Sequence, residues 1–123
     1  MMKSIATRAT NGIEVRLVNQ NDVGDNLRDF VRERDWGKFH TPENLAKSIS
    51  IEAAELLECF QWGTPSNLEE VRLELADILT YAYLLADILG EDPVDLIQEK
   101  LQITKSKYPV EKAFGRSEKY DEL

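Results

Sequence analysis

The sequence predicts an all-α fold, a four-helix bundle in a single domain. Three observations predict it. Apolar residues recur at helical spacing in four segments; two of those segments open on a capping residue followed by proline, Thr41-Pro42 and Asp92-Pro93; and the connections between them are short. A chain of 123 residues suits one domain with a modest core, short of a deep pocket of its own. A dimer would supply the missing walls.

In chain order, residues 1–24 read as an N-terminal extension with one possible strand, Ile13 to Val18, where IEVRLV alternates apolar and polar. A lone strand does not stand in water, so this one must pair with a partner's copy, pack on the bundle or stay loose. Asp25 can cap a first helix over Asn26 to Arg34, with Leu27, Phe30 and Val31 inward. In the loop DWGKFH, Trp36, Phe39 and His40 are either staples against the bundle or walls and a polar contact for a planar ligand. Thr41 and Pro42 start a second helix that runs to about Trp62, where Gly63, Thr64 and Pro65 end it. Asn67 with Glu70, or Ser66 with Glu69, makes a capping box for a third helix, which Gly90 stops after Leu89. A fourth helix follows Asp92-Pro93 and reaches about Lys107, before Tyr108 and Pro109. The helical domain is thus 25–109, and 110–123 is a tail on the surface or on a partner.

A net charge of −8, without a long Lys/Arg run, argues against a nucleic-acid binder; phosphate partners would need metal. The single Cys59 excludes an internal disulfide, suits a reducing compartment and reads as a small core hydrophobe. No apolar run approaches the ~18 residues of a membrane span. The first residues lack the apolar centre of a signal peptide, so a cytoplasmic location with no membrane partner is expected. P-loop, dinucleotide-binding glycines and HExxH are absent.

The chemistry lies in IEAAELLECFQW and LEEVRLELAD. Glu52 with Glu55, and Glu74 with Asp77, are acidic pairs three apart, so each pair shares a helix face. At about 100° per residue, Glu52 falls inside the apolar stripe between Leu45, Leu56 and Cys59, and Glu55 on its edge. Glu74 falls deep amid Ile78, Tyr81 and Leu85, with Asp77 on the edge. Taking ionised carboxylates out of water costs several kcal/mol each unless a cation or protons compensate. Oxygen ligands without nearby His or Cys favour magnesium, with manganese as a substitute. On the fourth helix, Lys100, Thr104 and Lys107 form a line bordered by apolar residues; the lysines either snorkel or, if they face the metal, bind phosphate.

A site holding metal and anion together fits a polyphosphate. Magnesium would bridge phosphate oxygens and acidify a water, with a carboxylate outside the ligand set taking the proton. Glu58 is a candidate for that role, although it points away from the apolar stripe as a solvated residue would. Trp36, Trp62 and Tyr81 would make a stacking pocket for a base if they are not core aromatics.

These segments, with ERDWGKFHTPENLA, ELADIL and KSKYPVEKAFGRSEKY, resemble the MazG-like all-α nucleoside triphosphate pyrophosphatases, in particular their dCTP pyrophosphatase branch, over about Leu27 to Leu123. The resemblance implies hydrolysis between the α and β phosphates to a monophosphate and pyrophosphate, with magnesium on Glu52, Glu55, Glu74 and Asp77. It also implies a base near Trp36, His40, Trp62 and Tyr81, Lys100 and Lys107 toward phosphate, and homodimers or homotetramers that build the site from more than one subunit. The family's KxxxN pattern departs here: the Asn position is Thr104, and a hydroxyl reaches less far than an amide. The alternative from another class is a non-enzymatic helical module whose exposed acidic face docks a basic partner. A di-iron bundle would need Glu-x-x-His pairs, and the only histidine, His40, precedes the second helix.

Overall fold

Four long helices form where helical periodicity demands them: α1 (Gln20–Glu33), α2 (Pro42–Glu58), α3 (Glu69–Ile88) and α4 (Pro93–Lys107). The computed structural model describes residues 6–10, 12–17 and 19–123. Thr41 caps α2, its hydroxyl accepting from Asn44 N at 3.1 Å, and Asp92 caps α4 through Val94 N at 2.8 Å and Asp95 N at 3.1 Å. At the end of α3, Glu91 N bonds Ala86 O and Gly90 N bonds Asp87 O, and Gly90 takes φ +72°, the left-handed conformation this cap requires.

Four expectations are corrected. The strand at Ile13–Leu17 (β2) pairs with an upstream segment of its own chain, β1 (Ala6–Thr10), antiparallel from Ala6↔Leu17 to Thr10↔Ile13. ATRAT lacks the apolar alternation that would have announced β1, and Val18 lies outside the described residues. Helix α1 begins at Gln20 rather than Asn26, because Asn19 Oδ1 accepts from Asp22 N at 3.2 Å and caps the chain earlier than Asp25 can. Helix α2 ends at Glu58, not Trp62: beyond it Phe60 N, Gln61 N and Gly63 N each bond a carbonyl three residues back, a run of tight turns. At the start of α3, Asn67 Oδ1 accepts from Glu69 N at 2.8 Å, two residues on rather than the three of the expected Asn67–Glu70 box.

The tail is also ordered. It forms a short helix, α5 (Val110–Ala113), and a 3₁₀ turn at Tyr120–Glu122, where Tyr120 N donates to the Tyr108 hydroxyl at 3.3 Å.

Packing is uneven. Helix α2 lies closely against α3, α1 less so, and α4 only sparsely. Arg28 ties α1 to α3, donating to Asp87 Oδ1 at 2.6 Å while also bonding Asp25. Among the described residues the buried apolar side chains are Leu45, Leu84 and Ala86, whereas Leu73, Leu75 and Leu79 of α3 and Ile97, Leu101 and Ile103 of α4 are exposed. One chain therefore does not close a four-helix core. None of the described helices is long and apolar enough to cross a membrane.

Candidate metal centre

Close packing of α2 on α3 sets the two acidic faces against each other. One carboxylate oxygen from each of Glu52, Glu55 and Glu74 lies within 4.8 Å of the other two. Burial follows the angular count: Glu52 and Glu74 are half-buried, and Glu55, Glu58 and Asp77 are exposed. Glu52 Oε2 and Glu74 Oε2 are shut off from solvent without a hydrogen-bond partner. Such atoms demand compensation, by protons or by a cation.

Without a cation the cluster holds protons. The Glu52 carboxyl is pushed up to about 7, first by its hydrogen bond with Glu55, then by burial and by the Glu55 charge. Burial, followed by the hydrogen bond with Glu55, likewise raises Glu74. The Asp77 charge raises both, but Asp77, expected with them, is not among the carboxylates whose oxygens lie within 4.8 Å of one another. The donor set is all oxygen and anionic and includes two orphaned buried atoms, so it fits a hard divalent cation. A docking module's exposed acidic face would not hide those oxygens.

Cys59 stands next to this cluster as a hydrophobe, not a ligand. It is half-buried, its Sγ donates to Glu55 O at 3.5 Å, and burial, then the Glu70 and Glu74 charges, pushes its thiol up.

The candidate base platforms sit in different surroundings. Trp36 is held by the end of α1: Asp35 takes φ +52°, Trp36 N bonds Val31 O and Asp35 N bonds Arg32 O, a Schellman turn with aspartate where glycine is usual. The turn lays Trp36 edge-on to Phe30 at 5.5 Å, and Arg34 covers the Phe30 ring at 3.9 Å. Asn44 Nδ2 bonds Phe39 O at 3.0 Å and pins the 3₁₀ turn Gly37–Phe39 to α2. His40 is half-buried and lines a cavity of about 320 Å³ with Arg28, Val31, Asp35, Leu84 and Asp87. Tyr81 is half-buried on α3, one turn beyond Asp77, whereas Trp62 is 92% exposed and no part of the chain's own core. A cavity of about 560 Å³ between α1, α3 and the start of α4 shares no residue with the acidic cluster.

On α4, Lys100 is exposed and the Thr104 hydroxyl donates to Lys100 O at 3.0 Å, within its own helix. Lys107 Nζ lies 4.8 Å from the Tyr120 ring centre. Phe30, expected inward from its place in the first helix, is 43% exposed and carries Trp36 on its edge instead. Tyr120 beside Lys107 is a support that periodicity did not single out, because it depends on a turn that doubles the chain back.

Helices of this kind, with clustered carboxylates on two adjacent members, define a helical chain built around an acidic cluster. The chain belongs to the MazG-like family, whose sequence profile matches residues 47–123, the span from α2 to the C-terminus that includes every carboxylate of the cluster. It is similar to dCTP pyrophosphatase 1 of Homo sapiens, 35% identical over 105 residues, covering 77% of this chain and 62% of that protein. The same protein of Bos taurus is 33% identical over the same shares. The chain thus spans less than two thirds of these relatives' length. A pyrophosphatase from Archaeoglobus fulgidus DSM 4304, known from its crystal structure, matches with a TM-score of 0.68 and 42% identity, covering 79% of this chain and 98% of that one.

Proposed function

We propose that this protein is a magnesium-dependent nucleoside triphosphate pyrophosphohydrolase that takes a dCTP-like nucleotide and water to the monophosphate and pyrophosphate. The observation that carries the reading is the pair of buried, partnerless carboxylate oxygens, Glu52 Oε2 and Glu74 Oε2, in a cluster where Glu52, Glu55 and Glu74 each bring an oxygen within 4.8 Å of the other two. The names of the similar proteins, dCTP pyrophosphatase 1 and pyrophosphatase, support the reaction class.

Glu52, Glu55 and Glu74, joined by Asp77 one turn beyond Glu74 on α3, would hold magnesium or manganese. When bound, the ion supplies charge neutralisation for the triphosphate and acidifies water. The chain's own residues do the rest. Trp36, His40, Trp62 and Tyr81 bracket the base; Lys100 and Lys107 bind phosphate oxygens; and Thr104 contacts sugar or phosphate. Glu58, exposed at the end of α2, is the candidate to accept the proton of the attacking water. A homodimer or homotetramer would cover the exposed leucines of α3 and α4 and bring Trp62 against a neighbour.

The test is product analysis with magnesium and each common nucleoside triphosphate, resolving pyrophosphate from single phosphate. Pyrophosphate with monophosphate, lost on chelation, is expected. Single phosphate as the product, or turnover indifferent to chelator, would overturn the reading.

A further inference from the structure

We propose that Tyr120 is a positioning residue for triphosphate binding: its ring fixes the Lys107 ammonium at the end of α4 so that it meets a phosphate oxygen. The proposal rests on the reading of Lys107 as a phosphate ligand and adds what holds it there.

Helix α4 ends at Lys107, and Pro109 bars its continuation. A lysine on the last turn of a helix is favoured by the dipole yet keeps a long, freely rotating stem. Here the chain returns to restrain it. After α5, Gly115 takes φ +70°, Arg116 N bonds Ala113 O and Arg116 Nε pairs with Glu118 Oε2 at 3.3 Å, closing the turn. Tyr120 then meets Tyr108 twice: its backbone N donates to the Tyr108 hydroxyl at 3.3 Å, and the two rings pack edge to face at 6.2 Å and 84°. So anchored, the Tyr120 ring presents itself to Lys107 Nζ at 4.8 Å and to Lys119 Nζ at 5.9 Å. Two ammonium groups gathered on one ring leave their outward hydrogens free for an anion. The contacts use the ring and the main chain, not the Tyr120 hydroxyl.

The experiment compares Tyr120→Leu, Tyr120→Phe and Lys107→Gln in the full chain, with magnesium and dCTP, alongside NMR of the Lys107 side chain. Tyr120→Leu should raise KM about three- to tenfold with kcat within about twofold, the scale of an exposed cation–π contact and its preorganisation. Tyr120→Phe should restore wild-type KM. Lys107→Gln should raise KM similarly, and adding Tyr120→Leu to it should do little more. The Lys107 ε-methylene resonances should be ring-shifted in the wild type and in Tyr120→Phe, and unshifted in Tyr120→Leu. If Tyr120→Leu unfolds, Tyr120→Met keeps apolar packing on Tyr108 without a ring and takes its place. An unchanged KM in the ringless variant beside a raised KM in Lys107→Gln overturns the positioning role alone. An unchanged KM in Lys107→Gln overturns the phosphate assignment beneath it.

Discussion

The α2–α3 pair and the helix α4 with its tail solve opposite problems. In the pair, like charges are forced together: close packing leaves Glu52 and Glu74 with buried oxygens that have no partner, and the cluster takes up protons. In α4 and the tail, cations are spread over an open surface, and the chain doubles back to restrain one of them on an aromatic ring. The first region is held together by contact and strained electrostatically; the second is electrostatically easy and thinly packed. A cation brought to the first region would relieve its strain.

The largest expected effect breaks the acidic side. Glu74→Gln should lower turnover about a thousandfold, the scale of several kcal/mol of lost charge stabilisation, while far-UV circular dichroism keeps its helical signal. Normal turnover in that variant would sink the metal assignment. On the basic side Lys100→Gln should raise KM about tenfold and leave kcat nearly unchanged, since an exposed phosphate contact acts mainly in binding. A loss confined to kcat would move Lys100 out of the binding role.

The strain itself can be titrated. Glu52 ionises near 7 in the folded chain, above its ordinary range, so the folded state binds protons that the unfolded chain has already lost. The contribution of this group to metal-free stability is therefore fully present below the ordinary carboxylate range and is lost as pH rises toward and through 7. The melting temperature without metal should drop by several degrees between pH 5.5 and 8. Saturating magnesium should flatten that slope, because the ion replaces the protons. A flat metal-free profile would show that the cluster is relaxed.

The smallest effect sharpens the contrast at the edge of the fold. Gly90 and Asp35 end α3 and α1 in the same left-handed turn, one at no steric cost and one with a Cβ in the way. The exposed Asp35–Lys38 pair, 3.0 Å long, offsets little of that cost. Asp35→Gly should raise stability by up to about 1 kcal/mol, seen as a small rise in denaturation midpoint with the Trp36 environment unchanged.

Helix existence and the burial order of the carboxylates were legible because both follow from a 3.6-residue period that the close packing of α2 on α3 leaves intact. Glu52 and Glu74 inside, Glu55 and Asp77 at the edge, needed only angles. Boundaries were less legible. Asn19 and Asp25 are both competent caps, and only the folded chain shows that Asn19 Oδ1 reaches Asp22 N. Reversals were illegible: β1 carries no apolar alternation, and the return of Tyr120 to Tyr108 depends on turn geometry that no periodicity encodes. The place of Trp62 was ambiguous in sequence between core and platform. It proved to be neither a core residue nor a covered one within a single chain.

That exposure has an optical consequence. Of the two tryptophans, Trp36 sits against Phe30 while Trp62 stands in solvent, so in an isolated chain Trp62 should emit as a fully hydrated indole does. Association of chains or docking of a base against it would shift that emission to the blue or quench it. The protein thus carries a solvent-exposed fluorophore at the residue proposed to meet both a neighbouring chain and the base, and dilution and nucleotide titrations followed at that single wavelength would tell the two events apart.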